Sequence, residues 1–452
     1  MDVKSVNRFI DGQKQNMTEV LKDFIAIPSV KSAPEDGKPY GDGIFRALEF
    51  ISDKAEEMGL KTQNFENKIR IAEYGRGGEK LGILCHTDVV SVNADKWTTP
   101  PFEAAIKGNL IYGRGSLDNK GPTVAALFAV YALKECGIDL KDKVQIFFGS
   151  DEESGMHDFK DYLKLNTLPE YAFAPDCCFP VAYSETGKFN IEGKTQFNSE
   201  NVISLHSGGT FSNVTPETAV AKIKNISAEE IEEKLDEIQD ITYKIEHTQD
   251  CLEVTVFGKS THTAHPHWGV NPLTALLEAL SQFETKDSAF KRLSALYPHG
   301  TFFGENFGLE SNENALSLVS LRYDGETFEF VSNCRVNAKN RSADIAKIIL
   351  DKFTVPAKAV SPTEPHYVPK DSYFVKELCG VYKEFTGRED EPYAADGATY
   401  AHVKDGAVAF GGVLYGDGGD GAHGNDECYN LDTLVSAAKM FARAIVKICK
   451  EV

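Results

Sequence analysis

No stretch of this 452-residue sequence stays apolar for the roughly 18 residues that a membrane-spanning helix needs. Thr123 to Leu133 is among the longest apolar runs. The opening residues, MDVKSVNRFIDGQ, lack the apolar core of a secretion signal, so a cytoplasmic protein is expected. Positive charge is also short: Lys+Arg 48 against Asp+Glu 68 leaves 48 − 68 = −20, which opposes nucleic acid or an anionic membrane as partner. There is no CxxC pair among the nine cysteines, which removes zinc ribbons and thioredoxin-like sites and leaves reduced thiols that pack as small hydrophobes. Gly113 and Gly115 begin a dinucleotide fingerprint, but Asp118 stands where its third glycine belongs, which argues against a Rossmann cofactor site. Low-complexity tracts and charged tails are missing as well. What remains is a soluble globular chain, with length for about three domains' worth of structure.

The chain is organised around LGILCHTD, Leu81 to Asp88. An apolar run ending in His86, one intervening residue and Asp88 reads as a buried strand that delivers two polar side chains to one face at its carboxyl end. By itself the tripeptide describes a hydrogen-bonded pair as well as it describes a site. The same event recurs, however. Lys143 to Phe148 runs into Ser150, Asp151, Glu152 and Glu153, and Tyr171 to Ala174 runs into Asp176. Carboxyl ends of strands in an open α/β sheet are where ligands bind. Acids gathered there repel one another and are costly to desolvate unless cations are bound. His86, His423, Asp118, Glu153 and Asp176 are the donor types that two zinc ions take. Two Zn²⁺ bring +4 against −3 from three ligating carboxylates, and one hydroxide closes the sum.

Apolar spacing predicts one helix over Val3 to Ile27, a second from Gly43 to Met58, and a third from Pro122 to Glu135 that is apolar on every side. From about Gly187 the texture changes to strand-like pieces (Val202 to His206, Leu252 to Phe257, Leu316 to Arg322, Phe328 to Val336) mixed with amphipathic helices. One of these helices opens with a capping box, Ser227 to Glu230. Past His366 come a helix near Ser372 to Phe385, a glycine-rich strand AVAFGGVLYG and a final helix from Leu431 to Lys450.

Six ordered segments then carry a resemblance: HTD at 86–88, GRGSLDNKGP at 113–122, SDEESGM at 150–156, APD at 174–176, GKSTHTAHPHWGVN at 258–271 and GAHGNDE at 421–427. Together they resemble the dinuclear zinc dipeptidase and aminoacylase family, most nearly its PepV-type bacterial dipeptidases. The resemblance implies an α/β fold in which a zinc aminopeptidase-like catalytic domain, residues 1–185 and 366–452, carries an inserted α+β lid domain, residues 186–365. It implies two zinc ions, with manganese or cobalt as substitutes. His86 and Asp176 would hold one ion, Glu153 and His423 the other, and Asp118 would bridge them across a cis Asp118–Asn119 bond. Asp88 would orient the His86 imidazole, and Glu152 would be the general base and acid. In the lid, His262 would stabilise the transition-state oxyanion, and Asn213 and Arg335 would bind substrate. A lid of this length implies a site completed within one chain, hence a functional monomer, with a homodimer as the alternative.

The activity implied is hydrolysis of a dipeptide with a free amino terminus. Its rivals are an N-acyl amino acid deacylase or desuccinylase working through the same ions, and a metal-dependent binding protein that has lost catalysis. Two departures from the family bear on substrate preference. The loop that often reads GGGTYAR is Asp396 to His402 here, and Val336 and Asn337 replace the Tyr-Pro that usually follows the arginine at Arg335. Of the string HTAHPH, only His262 falls on a motif position, so His265 and His267 are expected at the lid surface.

Overall fold

The computed structural model describes residues 3–207, 213–300 and 314–450. Gly208 to Ser212, part of the GGTFSNVTP segment that contains Asn213, lie outside the described residues. Contacts divide the chain into two units, Met1–Glu185 with His366–Val452, and Thr186–Pro365.

The first unit is built on a nine-stranded sheet. Its centre is strand Glu79–His86, which runs parallel to Lys143–Gly149 on one side and to Tyr171–Ala174 on the other. His86 is paired with Gly149, and Ile83 with Phe173, so the three carboxyl ends lie side by side. The strands are near-continuous apolar runs because both faces are covered. From Leu81 to His86 every residue is buried. Helix Lys120–Glu135 supplies part of that cover; from Lys120 to Leu133 only Tyr131 is not buried, and the helix packs against the final helix, Leu431–Cys449. Alanines dominate its sequence, Pro122 sits in its first turn, and Gly137 follows its end with φ +66.

The second unit is an eight-stranded sheet, every neighbouring pair antiparallel, ordered Thr242–His247, Leu252–Phe257, Thr218–Ile223, Val202–Ser207, Ala315–Tyr323, Thr327–Val336, Gly187–Gln196, Ala357–Thr363. Alternation is clear in Gly187–Gln196, where Phe189 and Ile191 are buried while Lys188, Glu192 and Lys194 are exposed, so one face carries the core. Helices Pro272–Ser281 and Ala289–Leu296 contribute Leu273, Leu276, Leu280, Phe290 and Leu293 to that core. Helix Ala228–Asp236 opens with the full reciprocal capping box between Ser227 and Glu230.

Two elements differ from the sequence reading. The first helix is split into Val3–Gly12 and Lys14–Ile25, because a poor helix former, Gly12, meets a turn at Gln13. AVAFGGVLYG is not one strand but two short ones, Val408–Ala409 and Gly412–Val413, separated where Gly411 (φ +66) and Gly412 (φ +114) take left-handed backbone. No helix among the described residues is long and apolar enough to cross a membrane.

Candidate metal centre

The carboxyl ends of the three parallel strands bring five side chains into two overlapping groups, His86–Asp118–Asp176 and Asp118–Glu153–His423. Asp118 belongs to both, and its two oxygens diverge. Oδ1 lies 3.0 Å from His86 Nε2, and Oδ2 lies 3.0 Å from His423 Nε2. Asp176 Oδ2 is 3.5 Å from the same His86 nitrogen, and Glu153 Oε2 is 3.0 Å from that of His423. Ligands about 2 Å from a tetrahedral zinc ion stand roughly 3.3 Å apart, so these spacings fit one ion per group with Asp118 shared. Imidazole and carboxylate are also the donor types that zinc, manganese and cobalt accept. The Asp118–Asn119 peptide bond is cis, as the resemblance implies.

The electrostatics show the same concentration of acid. Burial, reinforced by the charges of Glu153, Asp176 and Asp118, holds the Glu152 carboxyl well above its usual range despite the opposing pull of His86. Burial and the Asp118 charge push Glu153 up to about 7, and burial with Asp118 raises Asp176. For the imidazoles, burial opposes protonation, but the carboxylates outweigh it. His86 is raised by Asp118, Asp176 and Asp88, and His423 is pushed up to about 11 by Asp118 and Glu153. Raised proton affinity on Glu152, Glu153, Asp176 and both imidazoles, with Asp118 shifted the opposite way, against its burial, by the two histidines, marks carboxylates crowded in buried surroundings where a cation would relieve their repulsion.

Asp88 meets His86 chiefly through its main chain. The His86 Nδ1 partner is the main-chain oxygen of Asp88 at 2.9 Å, while its carboxylate lies 3.5 Å away. That carboxylate instead accepts from the main-chain N–H groups of Glu152 (3.2 Å) and Glu153 (3.1 Å). One residue therefore orients a histidine with its backbone and fixes two consecutive acids with its side chain.

Several supporting residues lie in segments that the sequence singles out, without any sign there of the partners they take. Asn119 Nδ2 donates to Asp176 Oδ1 at 3.0 Å and so sets the second acid on His86. Tyr400, fully buried, donates to Asp158, whose carboxylate also accepts from Ser150 N; burial pushes that carboxyl up to about 7. Tyr400 also lies edge-on to the His86 ring, centroids 6.3 Å apart. Where the family carries arginine, His402 bonds the buried Glu185 carboxylate through Nδ1, and Thr399 donates to Glu185 twice, through N–H and hydroxyl. Glu427 accepts from the loop that carries Asp118. Only folding shows their partners.

In the second unit, Arg335 Nη2 is 3.2 Å from His262 Nε2. Arg335 is buried, its Nε bonded to Asn333 Oδ1 at 3.1 Å, and Asn333 in turn is reached by the Thr263 hydroxyl and donates to Asn190. Asn213 accepts the N–H of Thr263 on its main-chain oxygen, and the next residue, Val214, bridges to His262. His262, Arg335 and Asn213 are thus neighbours along one edge of this unit. His265 stacks on Trp268 with centroids 3.8 Å apart, and neither His265 nor His267 belongs to a group of three metal-capable residues among the described residues.

A mixed α/β sheet whose three central parallel strands end beside two histidine–carboxylate groups is the framework of a metal-dependent enzyme. The chain belongs to Peptidase family M20/M25/M40, whose sequence profile matches residues 82–447. A Staphylococcus aureus relative provisionally named a dipeptidase is 33% identical over 471 residues, covering 95% of this chain and 96% of its own. YtjP of Bacillus subtilis, with the same provisional name, is 30% identical over 462 residues, covering 97% and 98%. Among solved structures, human carnosine dipeptidase 1 shares the fold at a TM-score of 0.62 and 15% identity, covering 99% of both chains. The dipeptidase Dug1p of Saccharomyces cerevisiae does so at 0.61 and 14%, covering 100% of this chain and 99% of its own.

Proposed function

We propose that the protein is a dipeptidase that hydrolyses dipeptides with a free amino terminus at a dinuclear zinc site. The observation that carries this reading is the divergence of the two Asp118 oxygens toward two different histidines, 3.0 Å each, which is the geometry of a bridging carboxylate. Membership of a peptidase family and near full-length likeness to relatives named dipeptidases support the substrate class. His86 and Asp176 would hold one ion, Glu153 and His423 the other, with Asp118 between them. Held by these residues, zinc would supply Lewis acidity to a scissile carbonyl and a lowered pKa to an attacking water.

Glu152 is the proton carrier in this reading. It takes the proton of the attacking water and passes it to the leaving amine. Its main-chain N–H is fixed by Asp88, as is that of its neighbour Glu153, so the base and a metal ligand are set by one carboxylate. In the same reading His262 of the second unit stabilises the oxyanion, Arg335 pairs with the substrate carboxylate, and Asn213 contacts substrate. A functional monomer is the expected form, with a homodimer as the alternative. Peptide is the expected partner, and a net charge of −20 speaks against nucleic acid and anionic membrane.

The decisive experiment assays a dipeptide library, and the N-acetyl form of each substrate cleaved, with and without chelator. Hydrolysis of the free dipeptides that chelator abolishes and zinc restores is the expected result. Faster cleavage of the N-acetyl forms would make the protein a deacylase instead.

A second experiment addresses the second unit. His262→Ala should lower kcat by at least about a hundredfold with KM little changed, because the oxyanion exists only in the transition state. Arg335→Ala should chiefly raise KM, since its ion pair forms before the chemistry. The two side chains touch at 3.2 Å, so the double variant should cost less than the sum of the single losses. Strict additivity would mean that the contact is idle, and unchanged kinetics in both variants would remove both residues from the proposed site.

A further inference from the structure

Glu427 is fully buried, and its carboxylate is saturated by donors from a segment more than 300 residues away. Oε1 accepts from Leu117 N (2.8 Å) and Asp118 N (3.0 Å), while Oε2 accepts from Gly115 N (3.0 Å) and Arg114 Nη1 (2.6 Å). The main-chain oxygen of Glu427 also accepts from Gly113 N at 2.9 Å. Arg114 completes the arrangement in the opposite direction: its Nη2 donates to Gly424 O at 2.7 Å, the residue after His423, and its guanidinium lies 5.4 Å from the Trp97 ring centroid. A single buried ion pair therefore ties the loop of Asp118 to the loop of His423 at both ends.

Strand Cys428–Asn430 pairs with Leu110–Tyr112, and Thr98 donates to Asp426 through its N–H and hydroxyl, but the Glu427 carboxylate is the contact that reaches the N–H of Asp118 itself. Gly115 takes φ +86 and Gly421 φ +85, and His423 and Asp426 are themselves left-handed at φ 60 and φ 55. Left-handed backbone in non-glycine residues persists only where surrounding contacts dictate it. A buried carboxylate with four charge-assisted or main-chain hydrogen bonds is such a contact, and each of those bonds is stronger than a neutral one. His86 and Asp176 are held by other means, through the main-chain oxygen of Asp88 and the Asn119 amide. The support of the two metal groups is therefore unequal.

We propose that Glu427, clamped by Arg114, is a positioning residue that sets the separation of Asp118 and His423, and with it the zinc affinity of the Asp118–Glu153–His423 group, which takes two ligands from the clamped loops, more than that of the His86 group, which takes only Asp118 from them. This inference rests on the two-metal reading above. Groups that orient metal ligands are worth about 10- to 100-fold in metal affinity. In Glu427→Gln one acceptor oxygen becomes an NH₂ facing Arg114 and Gly115, so the clamp is broken with little change of volume. In Arg114→Lys the charge stays, but one ammonium has no planar fork with which to reach Glu427 and Gly424 together.

The test is equilibrium zinc titration of the full chain against a competing chelator, with the melting temperature of the metal-free protein measured in parallel. The expected result is that both variants weaken one zinc by at least about tenfold and the other by clearly less, Glu427→Gln more than Arg114→Lys. A residue that merely supported the fold would lower the melting temperature of the metal-free chain and weaken both zinc ions alike. That result, or two ions bound as tightly as in the wild type, would overturn the proposal. Zinc binding is read without substrate. A wild-type chain that binds two zinc ions but cleaves no dipeptide therefore contradicts the proposed activity and not the clamp, whereas one that binds no zinc overturns both.

Discussion

Glu152→Gln should bind two zinc ions with unchanged affinity, melt at the wild-type temperature, and hydrolyse dipeptides at least about a thousandfold more slowly, in line with loss of the group that moves the proton. The reasoning rests on where Glu152 stands. It is adjacent to Glu153 but outside both ligand groups, so the substitution removes a proton carrier and leaves every donor atom of those groups in place. Glutamine preserves the shape and the main-chain contact to Asp88, which comes from the N–H of residue 152 and not from its side chain. The loss should fall on kcat, with KM little altered, because water is deprotonated only on the way to the transition state. Metal content measured on the same preparation separates this outcome from metal loss. Activity above about a tenth of wild type would assign the base to another residue, since general acid–base groups contribute at least about a hundredfold.

Asp118→Ala should fail in the opposite manner, losing metal and stability together. Asp118 is the one residue shared by the two groups, with an oxygen directed at each histidine. Its removal takes a ligand from both ions at once. Ions bound only by the folded state stabilise it by mass action, by about 4 kcal/mol at a free concentration a thousandfold above Kd. With the ions gone, Glu152, Glu153 and Asp176 are left crowded in buried surroundings. The measurable result is a metal content near zero at zinc concentrations that saturate the wild type, and a melting temperature that no longer rises when zinc is added. A variant that still binds two ions and still gains stability from them would remove Asp118 from its bridging role.

The two substitutions test different consequences of one local pattern that was readable before folding. An apolar run that stops in a polar cluster declares both a buried strand and the place where its chemistry is delivered. That pattern occurs three times in this chain, at His86, at Glu152–Glu153 and at Asp176. Parallel pairing in register then places the three ends side by side. His423 and Asp118 lie in loops, where motif resemblance and donor chemistry point to them and periodicity does not. The structure places Asp118 in both groups and His423 in one of them.

What the amino-acid sequence determined by itself is what local chemistry controls: the strands and their polar ends, the all-apolar helix Lys120–Glu135, the capping box at Ser227 and the residue types suited to zinc. What tertiary structure alone decided is how buried polar atoms were paired. It directed the Asp88 carboxylate to the main-chain N–H groups of Glu152 and Glu153, placed His402 on Glu185, set Arg335 against His262, and closed Glu427 on Arg114 and the loop of Asp118. The physical reason is that a side chain's secondary-structure preference and burial tendency are short-range properties, legible within a few residues. The partner of a buried carboxylate is whatever donor the packing brings within 3 Å, and for Glu427 that donor lies 313 positions away.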